Sequence, residues 1–495
     1  MRCLADKAAM SEPSIMVIDL GTTSVRVCVV GSDGTITATR RMPMSEGADG
    51  PGSMCWDAQW IAETVLGSAA ELCAQQPVAG VAVATQRTSC LLWDRRDGTP
   101  LTPVIGWPDA RARPLERRLR AEGVPFIAGL TAGKLRYLLD TVDPDRTRSR
   151  RGEILAGTLD SWLAWILTEG ALHITDHTNA SHTGLLDLAG LDWNEDVAAG
   201  LKLPGGILAR TVACDGPFGP ATALPGQPPL LAVIADQQAS LLGQGCETMG
   251  AAKITLGTVG AINVRLDDAA PPASSAAIFA NVALSDARGT VYGVETSFQS
   301  AGSSVDWLVR LGLLESPSAL DRLVDPGVRN GDAVFVPALY GLGAPHWKPQ
   351  ARGAFLGLSG ADAPADIARA VLDGIVCSAC EAIELLEGAL DRRLAQISVD
   401  GGLSASAAFT AILARTAERQ FHRASAAEAT TRGAAILARR ALGLPDLTQT
   451  AGAPICWRDD TLAADRGSWA AALEQVLMET NRRSADITQR KRMSV

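Results

Sequence analysis

Ten cysteines in 495 residues, scattered without dense spacing, are too few for a disulfide scaffold, and reduced, buried thiols are the expected state. No run of 18 apolar residues occurs, so no membrane-spanning helix is expected. The opening MRCLADKAAMSEPSIMVIDL places its apolar run too late, and too close to charged residues, for a signal peptide. The cytoplasm is therefore the expected compartment. Basic charge is in deficit, with 45 Lys and Arg against 54 Asp and Glu for a net −9, which argues against a broad grip on nucleic acid. Familiar catalytic signatures are missing too. There is no GxxxxGK[ST] loop, and GLTAGKL at 129–135 lacks both its spacing and its final hydroxyl. There is no GxSxG, and His173, Asp176, His177 and His182 do not form an HExxH pattern. Cys377 and Cys380 have no second pair to complete a zinc site, so core thiols and local turn bonding account for these residues. Any nucleotide site has to be assembled from separated loops.

What is present indicates a large α/β protein. A chain of 495 residues exceeds one hydrophobic core, and 47% apolar with 20% charged residues is ordinary globular usage. The segment IMVIDLGTTSVRVCVV at 15–30 reads as a hairpin with a Gly-Thr-Thr-Ser tip, and KITLGTVGAINV at 253–264 repeats the arrangement. Two domains built on one plan follow, divided near 245–252. Helical spacing marks 57–73, 134–140, 363–390, 406–418 and 467–478, and strands are expected at 78–83, 333–339 and 395–399. A charged surface turn is expected at 143–151, an exposed Pro/Ser/Ala loop at 269–277, and a frayed basic tail from Asn481.

Three polar loops follow apolar strands: Asp19 with Gly21, Thr22, Thr23 and Ser24; Gly257-Thr258; and Asp400-Gly401-Gly402. Such loops can hold phosphates through N–H and hydroxyl groups, with an acid nearby to hold a metal, although each is also an ordinary turn. In ADQQAS at 235–240 an acid follows an apolar run. Asp236 can accept a proton from a bound hydroxyl or cap a helix through the Gln238 or Ala239 N–H. Arg87 can fork onto substrate oxygens and Trp107 can wall a polyol, but an Arg87–Asp109 surface pair is equally available. Lys134 reads as the snorkelling face of a helix.

Taken in order, IDLGTTSVRVCVV (18–30), ATQRTSCLLWD (84–94), GKLRYLLD (133–140), TDHTNAS (175–181), ADQQASLLGQ (235–244), LGTVGA (256–261), GLGAPHWKPQARGAFLGLSG (341–360) and VDGGLSASAAF (399–409) resemble the FGGY carbohydrate kinase family, its glycerol kinase branch above all. The resemblance implies a two-domain α/β fold of the actin-like ATPase (ribonuclease H-like) type, with the active site in the interdomain cleft. The implied domains are an N-terminal sugar- or polyol-binding domain at 15–245, a C-terminal ATP-binding domain at 251–444, and a helix and tail at 445–495. It implies ATP and Mg²⁺ as cofactors, a small sugar or polyol as substrate, and a homodimer or higher homo-oligomer, with no nucleic-acid or membrane partner.

Residue by residue, the resemblance makes Asp236 the general base and Asp19 the metal-organising acid. Arg87, Thr88, Trp107 and Gln237 fall at substrate positions. Thr22, Thr23, Ser24, Thr258, Gly302, Asp306, Gly401, Gly402 and Ser406 fall on the nucleotide side. The chain departs from the glycerol kinase pattern where Thr88 replaces a Glu and Gly129 an aromatic, which points to a larger polyol or a ketose. Asp306 stands for a common Gln and Ser406 for a common Asn near the purine, which bears on nucleotide preference.

Overall fold

The β-branched run before Gly21 and the one after Thr23 pair with each other, Ile18 opposite Val27 and Leu20 opposite Val25, so that the Gly-Thr-Thr tip projects from a two-stranded turn. A computed structural model describes residues 13–47, 50, 52–266, 274–275, 277–424, 428–448 and 452–493, with side chains to 484. Its contacts divide the chain into two units. One comprises the chain up to Gly245 together with Asn281–Tyr292 and Glu428–Gln449; the other comprises Cys246–Ala280, Gly293–Ala427 and the chain from Thr450. Division by sequence order assigns 281–292 and 428–444 to the second half, whereas their contacts lie with the first.

The first unit is built on a six-stranded sheet in the order Asp215–Pro220, Pro229–Ala235, Gly80–Thr85, Ile15–Leu20, Ser24–Val30, Ile36–Pro43. Ile15–Leu20 runs antiparallel to Ser24–Val30 and parallel to Gly80–Thr85, which in turn is parallel to Pro229–Ala235. Leu20 pairs with Thr85, and Thr85 with Ala235. Three strands therefore stop level with one another, and the residues after them, Gly21, Gln86 and Asp236, leave the sheet at one edge. In parallel sheets that carboxyl-end edge is where ligands are held.

The second sheet repeats the plan. Ala251–Leu256 turns back antiparallel as Gly260–Arg265 and lies parallel to Gln396–Asp400, which is parallel to Phe421–Arg423. Thr255 is level with Asp400, so Gly257-Thr258 and Gly401-Gly402 leave this sheet together. The helix Pro364–Leu390 buries a continuous face including Val371, Leu372, Ile375, Val376, Ala379 and Ile383 in this unit's core.

Several sequence expectations change in detail. The segment 143–151 is not an open surface turn, because Asp143, Arg146 and Ser149 are buried, with Asp143 accepting from the Ser149 N–H and hydroxyl. The C-terminal helix runs as Arg466–Met493, through the stretch from Asn481 expected to fray. Most of the 269–277 loop lies outside the described residues. Cys377 and Cys380 are buried, and burial pushes the Cys380 thiol up to about 12, as suits core sulfur rather than a ligand. No described helix is long and apolar enough to cross a membrane.

The helices Asp236–Gly243 and Ala429–Ala441 meet within the first unit through glycines. A Cβ on Gly433 would lie 1.8 Å from the Ala239 carbonyl oxygen, and one on Gly243 would lie 2.0 Å from the Ala429 carbonyl oxygen. Both obstacles are backbone, which cannot swing aside. Gly433→Ala is therefore expected to lower the melting temperature, at a cost of about 1–3 kcal/mol or more, read by thermal unfolding. An unchanged midpoint would mean that the helices part freely.

Candidate active site

At the edge of the first sheet the polar side chains form a connected set. The Thr22 hydroxyl lies 3.3 Å from Gln86 Oε1 and accepts from the Trp107 indole N–H at 3.1 Å. Gln86 also donates to the Gly21 carbonyl. The hairpin tip, the loop after Gly80–Thr85 and the Trp107 segment are thus tied together. Trp107 keeps 45% of its surface exposed, as a wall for a ligand requires. Thr23 is exposed on the tip, whereas the Ser24 hydroxyl accepts from Arg41 at the start of its strand.

Asp236 is the first residue of its helix, after Ala235, and its Oδ1 accepts from the adjacent Gln237 N–H at 2.7 Å. It is partly accessible, as is Gln237. It does not occupy the N-cap position, which belongs to Ala235. The Ala235 N–H donates to the Thr178 hydroxyl at 2.9 Å, and that hydroxyl donates to buried Asp176. The residue before the acid is therefore held by a buried chain of hydrogen bonds.

Arg87 does not take Asp109. Asp109 is engaged by Arg111 and the Met54 N–H, while the Arg87 guanidinium meets the His182 ring. Next to Arg87, Thr88 is buried with φ at 62°, a backbone conformation that β-branched residues rarely adopt. Its carbonyl is held by the Thr131 hydroxyl at 3.1 Å and Lys134 Nζ at 3.4 Å.

Lys134 overturns the snorkelling expectation. It is 1% exposed and also donates to the Gly106 and Trp107 carbonyls at 2.9 and 3.0 Å. Its three donors are directed at three carbonyls, two in the Trp107 segment and one in the Arg87 loop. Burial pulls its pKa below the ordinary lysine value, with Asp109 and Glu116 pulling it back up.

Asp19 faces Arg26 across the hairpin register, with Arg26 Nη2 2.7 Å from Asp19 Oδ2. Arg26 also meets Glu428 and the Thr431 hydroxyl. Burial raises the Asp19 pKa, and Arg26 opposes that rise. Among the described residues no cluster of three or more His, Cys, Asp or Glu side chains could hold a metal by itself. One carboxylate with a second oxygen not committed to Arg26 suits a Mg²⁺ bound mainly by water and phosphate oxygens.

The second unit contains a cavity of about 510 Å³ lined by Thr258, Gly302, Asp306, Asp321, Gly402 and Ser406, among others. Five of the expected nucleotide-side residues thus meet in one space, and Gly401 borders it. The Gly302 N–H donates to the Gly257 carbonyl at 2.8 Å, and a Cβ there would lie 2.7 Å from that oxygen. Gly401 has φ of 88°, and a Cβ would strike the Leu256 backbone at 2.6 Å. The Ser406 hydroxyl is committed, donating to Asp321 at 2.6 Å and accepting from the Phe409 N–H. Asp321 also takes the Ala407 and Ala408 N–H groups. Burial alone would raise its pKa, but these donors outweigh burial and lower it.

Sequence reasoning missed Gln86, Lys134 as a buried clamp, His182 and Asp321. Gln86 lay inside a quoted motif, and polarity directly after a buried strand is the signal that could have singled it out.

Two outcomes follow. Lys134→Met keeps the volume but orphans carbonyls, so a loss of about 3 kcal/mol is expected, together with a raised acceptor KM, measured by melting and steady-state kinetics. Asp160, fully buried beside Asp176, has its pKa raised to about 7 by burial and then by the Asp176 charge. A raised carboxyl contributes stability below the ordinary value of 3.8 and loses it as pH climbs to about 7. Asp160→Asn should therefore flatten the fall in melting temperature between about pH 4 and 7; an identical slope in the variant would refute the assignment.

The model of the FGGY family of carbohydrate kinases matches in two parts, its N-terminal domain over residues 14–243 and its C-terminal domain over 252–442. The glycerol kinase of Alkalilimnicola ehrlichii is 36% identical over 456 residues, 87% of this chain and 90% of that protein. The glycerol kinase of Methylorubrum extorquens is 35% identical over 491 residues, 93% and 98% of the two chains. The crystal structure of Plasmodium falciparum glycerol kinase with ADP superposes with a TM-score of 0.86 at 24% identity, covering 94% of this chain and 98% of that one. The chain belongs to the FGGY family of carbohydrate kinases and is an ATP-dependent phosphotransferase acting on the hydroxyl of a small sugar or polyol.

Proposed function

We propose that the acceptor is glycerol, that Asp236 is the general base, and that Arg87, Trp107 and Gln237 orient the triol. The observation that carries this reading is the shared register of Leu20, Thr85 and Ala235, which brings the hairpin tip, the Arg87 loop and Asp236 to one sheet edge. The names of the similar curated proteins weigh toward glycerol over other polyols. In the proposed step the Asp236 carboxylate takes the proton of a primary hydroxyl as that oxygen bonds to the γ-phosphorus. The bond from the γ-phosphorus to the β,γ-bridging oxygen breaks, ADP leaves, and the proton passes from Asp236 to solvent.

ATP is assigned to the 510 Å³ cavity, with Thr258 and Gly302 as nucleotide contacts, Gly401 and Gly402 on the adenosine side and Ser406 near the purine. Asp19 would hold Mg²⁺, which would neutralise phosphate charge. Thr22, held between Trp107 and Gln86, would bond a phosphoryl oxygen.

A longer polyol is the second reading. It is favoured by Thr88 in place of a carboxylate and by Gly129, where an added Cβ would meet nothing within 4 Å. ATP consumption across glycerol, erythritol, four- and five-carbon polyols and ketoses, with product mass confirmed, separates the two. Glycerol is expected to give the highest kcat/KM; a larger acceptor exceeding it about tenfold would replace it. Asp236→Asn should keep fold and ATP binding while losing about 10²-fold or more in kcat. Near-parent turnover in that variant would remove Asp236 as the base.

A further inference from the structure

The segment Thr175 to His182 has no place in the phosphoryl-transfer step, yet it touches the neighbourhoods of both Arg87 and Asp236. Asp176 is fully buried and caps the short helix His177–Ser181, accepting from the Thr178 N–H at 2.8 Å and the Asn179 amide at 2.6 Å. Thr178 then presents its hydroxyl to the Ala235 N–H and its carbonyl to His182. His182, 2% exposed, sits at the end of this helix.

The hydrogen-bond partners settle the state of that ring. Nδ1 lies 2.9 Å from the Thr178 carbonyl oxygen, which can only accept, so Nδ1 carries the proton. Nε2 faces Arg87 Nη1, which can only donate, so Nε2 offers its lone pair. His182 is a neutral imidazole whose tautomer is set by the backbone. Arg87 is held from the other side as well, since the carbonyl of the next residue, Thr88, is pinned by Thr131 and Lys134. A guanidinium on a long stem otherwise loses rotamer freedom when it binds a ligand, and pre-setting it removes part of that cost.

We propose that His182 is a positioning residue for the acceptor site, fixing the Arg87 guanidinium through Nε2 while the Thr178 carbonyl fixes His182. This rests on the reading of Arg87 as an acceptor-binding residue. The guanidinium is then held in one orientation. The same short helix steadies the residue before Asp236, so a single element sets both the hydroxyl-binding cation and the base.

The test compares His182→Gln, His182→Asn and His182→Leu in the full chain, with the best acceptor of the panel above and ATP as substrates. A Gln oxygen can reach the place of Nε2; Asn can serve only the Thr178 carbonyl, and Leu neither. Acceptor KM is expected to rise about tenfold in Leu and Asn, and to return most of the way in Gln. ATP KM should stay near parent in all three, and melting curves identify any variant that fails to fold. In an Arg87→Ala background, His182→Asn should add little. Equal acceptor KM for Gln and Asn, or the same rise from His182→Asn with and without Arg87, would overturn the proposal. If Arg87→Ala alone leaves acceptor KM unchanged, it is the acceptor-site reading of Arg87 that fails.

Discussion

A single buried ammonium ties two loop stretches of the first unit together. Lys134 reaches carbonyls from two separate stretches, Thr88 on one side and Gly106 with Trp107 on the other. Neither stretch has regular secondary structure at that point, and backbone carbonyls left facing a dry interior would each be costly. The lysine satisfies them and in doing so sets the spacing between Arg87 and Trp107. The left-handed backbone of Thr88 persists because the chain around it is fixed this way. The placement of Arg87 and Trp107 thus depends on a residue buried behind them.

The cavity of the second unit follows a related logic with opposite sign. Asp321 gathers the Ser406 hydroxyl and two N–H groups at the start of the helix Ala407–Ala417, supplying the negative charge that a helix N-terminus favours. Ser406 therefore acts first as a structural cap, and its hydroxyl reaches Asp321 whatever it also offers a ligand. In a chain of net charge −9, phosphate binding has to come from local donors, because the overall field is unfavourable.

What was legible in the sequence was what depends on neighbours along the chain. Both hairpins, the helix Pro364–Leu390 and the glycine turn after Gln396–Asp400 declare themselves through β-branched runs, helical spacing and small residues. The segments bearing Asp19, Arg87 and Asp236 could be named for the same reason. What could not be read depends on partners far away. Lys134 has an amphipathic helix around it and looks like a surface residue until carbonyls from 88, 106 and 107 arrive. His182 looked like local turn chemistry, and half of it is, but its other nitrogen is committed to Arg87. Asp143 and Arg146 looked solvated because charge in a turn usually is; here the turn is folded inward.

The glycine contact between Asp236–Gly243 and Ala429–Ala441 has a consequence for the order of events at the ribosome. The later helix packs on the strands Ile15–Leu20, Gly80–Thr85 and Pro229–Ala235, and contributes Ala434, Ala435, Ile436 and Leu437 to their apolar layer. That layer is translated near the end of the message, after most of the second unit. The nascent first sheet therefore emerges with one face bare and waits for its cover throughout most of synthesis. A chain cut short before Glu428 lacks not a tail but the lid of its first core, and vectorial completion of the unit that carries Asp236 is tied to translation of the far end.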